Sequence, residues 1–260
     1  MSLPPAPKRA LGQHFLVDRN ILGVIDRLAE LDADDTVLEV GPGLGVLTTY
    51  LADRVRLVHA VELDRGLEPH LRRELAGRSN VLLHLGDALR LDLAALEPPA
   101  HKLVANLPYG IATPLVAESL DGLPALERWC VMVQREVGER FFATPSTKAY
   151  GAVSVLLQLA ARRTGSHAVA RTAFAPRPNV DSMIVAFTRI ELPTGWRELK
   201  RLVEAAFAHR RKTLANSLEL RGFGPRGRAI EALAAIGRAP DARAEALAPE
   251  EFLGLREALR

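Results

Sequence analysis

Residues 36–45 read TVLEVGPGLG, an apolar run that leads directly into a loop with glycines at positions 41, 43 and 45. Such a run, followed by a glycine loop and by the helical pattern of residues 46–54, is typical of the first βα unit of an open α/β sheet. Glycine lets the backbone turn tightly and approach a ligand without interference from a Cβ atom. The stretch predicts a nucleotide-like ligand, although a purely structural strand-to-helix turn has the same signature.

Two further apolar runs each lead to an acidic residue. The run at 57–61 is followed by Glu62, which lies 19 residues after Gly43 and can accept hydrogen bonds from both hydroxyls of a ribose. The run at 81–85 is followed by Asp87, which can accept from the amino group of an adenine. A βαβ series places these strand ends at the same edge of a sheet. A surface acid at position 62 and a turn aspartate at position 87 are the structural alternatives.

A fourth apolar run ends in NLPY, residues 106–109. Pro108 has a fixed φ and no N–H group, and it biases Leu107 towards an extended conformation. The Asn106 side chain and the Leu107 carbonyl can then accept hydrogen bonds from an exocyclic amino group. Tyr109 adds a flat ring on which a base can stack. The motif therefore indicates a binding site for an aromatic amine, and a strand followed by a proline turn is the structural alternative.

The glycine loop differs from the dinucleotide fingerprint. That fingerprint needs a third glycine three residues after the second, and this position is Val46. The spacing is closer to the G-x-G-x-G loop that binds methyl donors than to a pyrophosphate cradle. A nicotinamide-dependent oxidoreductase is the rival that this position disfavours.

Length and composition limit the class of protein. A chain of 260 residues with 48% hydrophobic residues can form one large domain and a smaller one. No apolar run approaches the roughly 18 residues that span a bilayer, and the first ten residues lack a signal-peptide core. Cys130 is the single cysteine, so a thiolate metal site is excluded, and we expect a buried, inert thiol. We expect a cytoplasmic monomer without a membrane association or a metal.

The break LPTG at 192–195 predicts a domain boundary, with an α/β domain at 1–192 and an all-helical domain at 193–260. The second domain has 13 Lys and Arg against 9 Asp and Glu, which favours a polyanionic partner. Its cations at a helix turn suit phosphate contacts, although the helix dipole also favours cations there. These residues are Arg210, Arg211 and Lys212.

Three segments between these features are less distinctive. The run at 151–161 fits a helix or a strand, and its periodicity does not decide between them. Two prolines hold the segment 174–182 extended, so Phe174 can present a second stacking surface, or it can be a core residue beside a hairpin connection. The alternation at 183–190 predicts an edge strand.

Seven motifs together span nearly the whole chain. They are LGQHFL at 11–16, EVGPGLG at 39–45, ELD at 62–64, GDA at 86–88, NLPY at 106–109, FAPRPNVDS at 174–182 and FAHRRKTLAN at 207–216. This combination resembles the KsgA (RsmA) family of small-subunit ribosomal RNA adenine dimethyltransferases.

The resemblance implies an α/β fold, a Rossmann-like S-adenosylmethionine-dependent methyltransferase sheet, with a smaller all-helical C-terminal domain. It implies transfer of methyl groups from S-adenosylmethionine to the exocyclic N6 amine of two adjacent adenosines, two on each, near the 3′ end of 16S rRNA in the immature small ribosomal subunit. Residues 1–192 would then be the catalytic domain, and residues 193–260 would help to hold the RNA.

Together with the resemblance, the motifs predict three groups of site residues. The cofactor-binding group is His14, Leu16, Gly41, Gly43, Glu62, Asp87, Ala88 and Asn106. The catalytic group is Asn106, Leu107, Tyr109 and Phe174, and the RNA-binding group is Arg210, Arg211 and Lys212. Many members of the family have Asn at position 14, so His14 is a departure that makes a pH dependence of cofactor binding possible.

Two rivals share part of this pattern. A large-subunit rRNA adenine methyltransferase of the antibiotic-resistance type shares most of the motifs, but FAHRRKTLAN and GQHFL favour the small-subunit family. A non-catalytic RNA-binding assembly factor could keep the fold, but a scaffold has no physical need for the complete set of site residues.

Overall fold

A seven-stranded sheet forms the centre of the first of two units in the computed structural model, which describes residues 5–8 and 12–260. Its strands are β2 (Thr36–Val40), β3 (Leu57–Glu62), β4 (Val81–Leu85), β5 (Lys102–Asn106), β6 (Arg128–Gln134), β7 (Ala161–Val169) and β9 (Ser182–Arg189). They run in the order β4-β3-β2-β5-β6-β9-β7, and the first five are parallel while β9 is antiparallel to β6. A separate antiparallel pair joins β1 (Phe15–Leu16) to β8 (Phe174–Ala175).

Helices cover both faces of this sheet because its central strands are apolar on both sides. Their bounds in the first unit are α1 (Asn20–Ala29), α2 (Val46–Ala52), α3 (Glu68–Glu74) and α4 (Ala112–Gly122), and α5 (Arg135–Phe141) ends this part of the chain. Cys130 lies under α1, where its Sγ is 3.7 Å from the Ile25 carbonyl oxygen. Burial raises the pKa of this thiol to about 12, and the expected burial of the cysteine is confirmed.

The opposite face of β6 packs under α4. Trp129 is fully buried, and its indole N–H donates to the Ser119 hydroxyl over 2.8 Å. Its ring stacks on Phe187 of β9 with 5.2 Å between centroids. These contacts tie α4, and therefore the turn that precedes it, to the middle of the sheet.

The prediction of an edge strand at 183–190 is wrong. The strand Ser182–Arg189 lies between β6 and β7, and the edges of the sheet are β4 and β7. The run at 151–161 is resolved as helix α6 (Ala152–Ala160), after which β7 begins at Ala161. The sequence ARRTGSHAV of β7 has an exposed, polar interior without apolar alternation, so only pairing with β9 marks it as a strand.

The second unit consists of Glu139–Arg162 and Ile190–Arg260. Besides α6 it contains α7 (Trp196–Phe207), α8 (Leu214–Leu220), α9 (Arg226–Ala235) and α10 (Glu251–Ala258). The sequence division at 192/193 assigned residues 139–162 to the first domain. They belong to the helical unit because Tyr150 is fully buried there, with its hydroxyl donating to the Leu247 carbonyl and its ring 5.8 Å from Phe207.

None of the helices formed by residues 5–8 and 12–260 combines the length and the apolar character that crossing a membrane requires.

Candidate active site

The carboxyl ends of β2, β3, β4 and β5 meet at one cavity of about 270 Å³ in the first unit. The predicted site residues that line it are His14, Leu16, Gly41, Gly43, Glu62, Asp87, Ala88, Asn106, Leu107 and Tyr109. Parallel strands produce this convergence because their ends lie side by side at one edge of the sheet. Residues that are distant in the chain therefore form one site, as the contact between Asn106 and His14, which are 92 positions apart, illustrates.

The loop after β2 approaches its neighbours so closely that two positions require glycine. Gly41 has φ 78°, and a Cβ atom there would lie 3.0 Å from the ring of Pro108. Gly43 has φ 58°, and a Cβ atom there would lie 3.0 Å from the ring of Phe15. Both values of φ are strained for residues with a side chain. The loop thus presents bare backbone to the cavity.

Glu62, at the end of β3, is 5% exposed and is held by two backbone N–H groups. Its Oε2 accepts from Gly43 over 3.1 Å, and its Oε1 accepts from Asp64 over 2.8 Å. Burial raises the pKa of this carboxyl, and the two backbone N–H groups oppose that shift. The carboxylate is therefore a rigid double acceptor in the cavity wall.

Asp87 follows β4 and is oriented by local contacts. Its Oδ1 accepts from the Leu89 N–H over 3.0 Å, and its Oδ2 lies 3.4 Å from Arg90 Nε. Ala88 beside it is 7% exposed and lines the cavity without a polar group. This corner of the cavity combines one acceptor with an apolar wall.

Asn106 ends β5, and its Nδ2 donates to the His14 carbonyl over 3.3 Å. Leu107 is 1% exposed, and its N–H donates to the Met132 carbonyl of β6 over 3.0 Å. Tyr109 is half-buried, its ring centroid is 5.7 Å from that of His14, and burial raises the pKa of its phenol. The NLPY turn is thus attached both to the sheet and to the N-terminal segment.

Phe174 is the predicted catalytic residue that does not line the cavity. Its backbone pairs with Leu16 in the β1–β8 ribbon, and its side chain is 4% exposed within the hydrophobic core. The structure therefore does not bring its ring into the cavity beside Tyr109.

Sequence reasoning missed the contacts that attach the N-terminal segment. Lys8 Nζ lies 2.6 Å from Asp64 Oδ1, and Gln13 Nε2 donates to Asp64 Oδ2 over 3.1 Å. Asp64 is 5% exposed, and the bonds from Lys8, Gly66 and Gln13 outweigh burial and lower its pKa. The signal was the second acid of the ELD motif, two residues after Glu62.

Two further residues of the cavity were also missed. Glu39 is 1% exposed, and burial raises its pKa to about 8, against the opposing effect of the nearby Thr48 hydroxyl. Its Oε2 has no hydrogen-bond partner among the described residues. Leu63 lines the cavity and is 53% exposed. Its position as an apolar residue between two acids is the sequence feature that could have identified it.

In the second unit, the three predicted RNA-binding cations lie exposed in the turn between α7 and α8. Arg210 Nη2 donates to the Lys148 carbonyl over 3.0 Å and lies 3.7 Å from Glu245. Arg211 and Lys212 extend the exposed positive charge of this turn. Across residues 5–8 and 12–260, no group of three or more His, Cys, Asp or Glu side chains is arranged to hold a metal ion.

Comparison with known proteins agrees with this geometry. The sequence profile of the family described as "Ribosomal RNA adenine dimethylase" matches residues 6–259. A curated relative, "Ribosomal RNA small subunit methyltransferase A" of Rubrobacter xylanophilus, is 50% identical over 253 residues, which cover 96% of this chain and 94% of the relative.

Two solved structures share the architecture. A dimethyladenosine transferase from Plasmodium falciparum matches with a TM-score of 0.76 and 25% identity, over 93% of this chain and 96% of that one. The 23S rRNA methyltransferase ErmE matches with a TM-score of 0.67 and 32% identity, over 94% of this chain and 99% of that one. The fold is therefore the Rossmann-like methyltransferase fold with a helical C-terminal part, and the chain belongs to the ribosomal RNA adenine dimethylase family.

Proposed function

We propose that this protein dimethylates the N6 amine of two adjacent adenosines near the 3′ end of 16S rRNA, with S-adenosylmethionine as methyl donor, on the immature small ribosomal subunit in the cytoplasm. The observation that carries the proposal is the convergence of Gly41, Glu62, Asp87 and Asn106 on one cavity. The 50% identity to a small-subunit methyltransferase, against 32% to the 23S enzyme, favours the small-subunit substrate.

The cavity fits the chemical groups of the proposed cofactor. Glu62 is a fixed double acceptor suited to a ribose diol, and Asp87 is an acceptor beside the apolar Ala88, suited to an adenine edge. The Glu39 Oε2 has no partner among the described residues and offers a buried acceptor to an ammonium group, whose positive charge would favour the deprotonated carboxylate. When bound, the cofactor supplies an electrophilic methyl group on a positively charged sulfur.

The protein's task is to direct a poor nucleophile. The lone pair of an adenine amino group is delocalised into the ring. The Asn106 side-chain oxygen and the Leu107 carbonyl would accept hydrogen bonds from its two N–H groups and so favour a pyramidal nitrogen. This directs the lone pair towards the methyl group. Such positioning lowers the activation barrier by about several kcal/mol at most. No basic side chain is needed before attack, and the extra proton leaves to water afterwards.

The target base has to leave its helix to reach the cavity, and Tyr109 would stack on it there, with about 1–3 kcal/mol per stacked base. Phe174 remains the proposed second surface, but its core position means that its ring would have to move to reach the base.

The direct test incubates the protein with labelled methyl donor and undermethylated small subunits, and maps the modified bases. Two neighbouring dimethyladenosines near the 3′ end of 16S rRNA are expected. A parallel incubation with large subunits tests the rival, and label in their RNA with none in the small subunits would favour the 23S activity. A thermal shift with a nicotinamide dinucleotide, but none with the methyl donor, would favour an oxidoreductase.

Replacing Glu62 with glutamine is expected to weaken cofactor binding by about 10- to 100-fold, because hydrogen bonds to a charged group contribute about 1.5–3 kcal/mol. A glutamine cannot accept at both positions now bonded to Gly43 and Asp64. Titration calorimetry with S-adenosylmethionine measures the change. Glu68→Gln, a substitution in an exposed i,i+4 ion pair, is the matched control and should bind as the wild type does. Equal affinity of the two variants would contradict the role of Glu62.

The double variant Arg211→Ala/Lys212→Ala is expected to weaken binding to the 3′ region of 16S rRNA and to reduce the slope of log K against log salt by about two, since each phosphate contact contributes about one. The control Arg197→Ala/Arg201→Ala removes two exposed cations from α7. The same loss of slope in both variants would show a diffuse charge effect and not a specific contact at the α7–α8 turn.

A further inference from the structure

We propose that Ser182 is a positioning residue that holds the ring of Tyr109 in the wall of the cavity. The inference rests on the proposed function, in which Tyr109 stacks on the target adenine. The Tyr109 and Ser182 hydroxyls are 2.8 Å apart, although the residues are 73 positions apart in the chain.

The two partners differ in how firmly the fold holds them. Ser182 is fully buried at the start of β9, where it pairs with Gln134 of β6 inside the seven-stranded sheet. Tyr109 is half-buried in the turn between β5 and α4, so its ring depends on contacts beyond its own backbone. A hydrogen bond from a rigid sheet to a loop side chain restricts the orientations that this side chain can adopt.

The other ring beside Tyr109 is held from the same segment of chain. His14 Nδ1 is 2.8 Å from the Pro176 carbonyl, and since a carbonyl only accepts, this nitrogen donates. The His14 ring packs 5.7 Å from Tyr109 at an angle of 33°. The segment 174–182 thus holds the rings of His14 and Tyr109 through Pro176 and Ser182, while its own Phe174 is buried in the core.

Orientation matters for catalysis because stacking helps only if the ring plane matches the plane of the base in the reactive complex. Contacts with the rest of the RNA survive when the ring turns, so loss of the Ser182 contact should lower kcat more than it raises KM for the RNA. Cofactor binding should be unaffected, because the Ser182–Tyr109 bond involves none of the acceptors assigned to the cofactor.

The test is a double-mutant cycle of Ser182→Ala and Tyr109→Phe. The phenylalanine keeps the stacking ring and removes the hydroxyl. Each single variant is expected to lower kcat by about 10-fold with KM for the RNA within about threefold, and the double variant should be no worse than either, since both remove the same hydrogen bond. Ser182→Thr, which retains the hydroxyl, should recover most of the activity.

The matched control is Ser119→Ala, which removes another buried serine hydroxyl of the same unit, one that accepts from Trp129. It should lower the melting temperature without lowering kcat. Wild-type kcat in Ser182→Ala, multiplicative losses in the double variant, or an equal loss of kcat in Ser119→Ala would each overturn the inference.

A second readout does not depend on turnover. In NMR spectra of protein with ¹³C-labelled tyrosine rings, the Tyr109 signal, identified by its loss in Tyr109→Phe, should shift in Ser182→Ala and stay in place in Ser119→Ala. An unshifted signal in Ser182→Ala would refute the positioning role. If the wild type does not methylate adenosine, the proposed function fails, while these spectra still decide whether Ser182 holds the Tyr109 ring.

Discussion

Alanine at position 106 is expected to abolish methyl transfer while RNA binding survives. The change removes the side-chain acceptor proposed for the adenine amino group and the Nδ2 donor that attaches the NLPY turn to the His14 carbonyl. A preorganised polar group at a reacting centre raises kcat by about 10²–10³-fold. The Asn106 amide both accepts from the amine and attaches the turn, so we expect its loss to lower kcat by about 1,000-fold or more.

The measurement is single-turnover transfer of labelled methyl groups to undermethylated small subunits, with RNA affinity determined in parallel. Asn20→Ala, an exposed position of α1, is the matched control and should retain full activity. Full dimethylation by Asn106→Ala would end the proposed mechanism, and a parallel loss of RNA affinity would make Asn106 a binding residue instead.

The second large effect concerns stability. Glu39 keeps its proton in the folded protein up to about pH 8, against a reference pKa of 4.5. Between these values the folded state binds more protons than the unfolded state, so the free energy of unfolding should fall as pH rises and level off above pH 8. At about 1.4 kcal/mol per pKa unit, the total is on the order of 5 kcal/mol.

Glu39→Gln removes this titration and is expected to be several kcal/mol more stable than the wild type at pH 9, with a small difference near pH 4.5. The Thr48 hydroxyl, which is buried and has no partner among the described residues, can accept from the new amide. Urea unfolding of the cofactor-free protein at pH 5, 7 and 9 measures the effect, with Glu68→Gln as control. Parallel pH profiles for wild type and Glu39→Gln would contradict the assigned protonation state.

The positions of the proposed site residues were largely predictable from the sequence. The strands at 36–40, 57–62 and 81–85 are short apolar runs, and each has a glycine or an acid at its end or directly after it. Residues near the ends of neighbouring parallel strands must meet. This rule brings Gly41, Glu62, Asp87 and Asn106 to one cavity without any knowledge of side-chain packing.

Other features depended on contacts between distant parts of the chain. The strand β7 has no apolar alternation, and its place at the edge comes from pairing with β9. Residues 139–162 join the helical unit through Tyr150, whose partners Leu247 and Phe207 lie 57 or more positions away in the chain. Neither local propensity nor periodicity carries such information.

The sequence by itself determined the α/β class, the strands that end at the site and most of the predicted residues that line it, because strand periodicity and loop chemistry are local properties. Only the tertiary structure decided that Phe174 lies in the core, that Asp64 holds Lys8 and Gln13, and that Ser182 meets Tyr109. The physical reason is that burial and hydrogen-bond partners depend on which distant surfaces pack together, and that choice is made by the free energy of the whole fold.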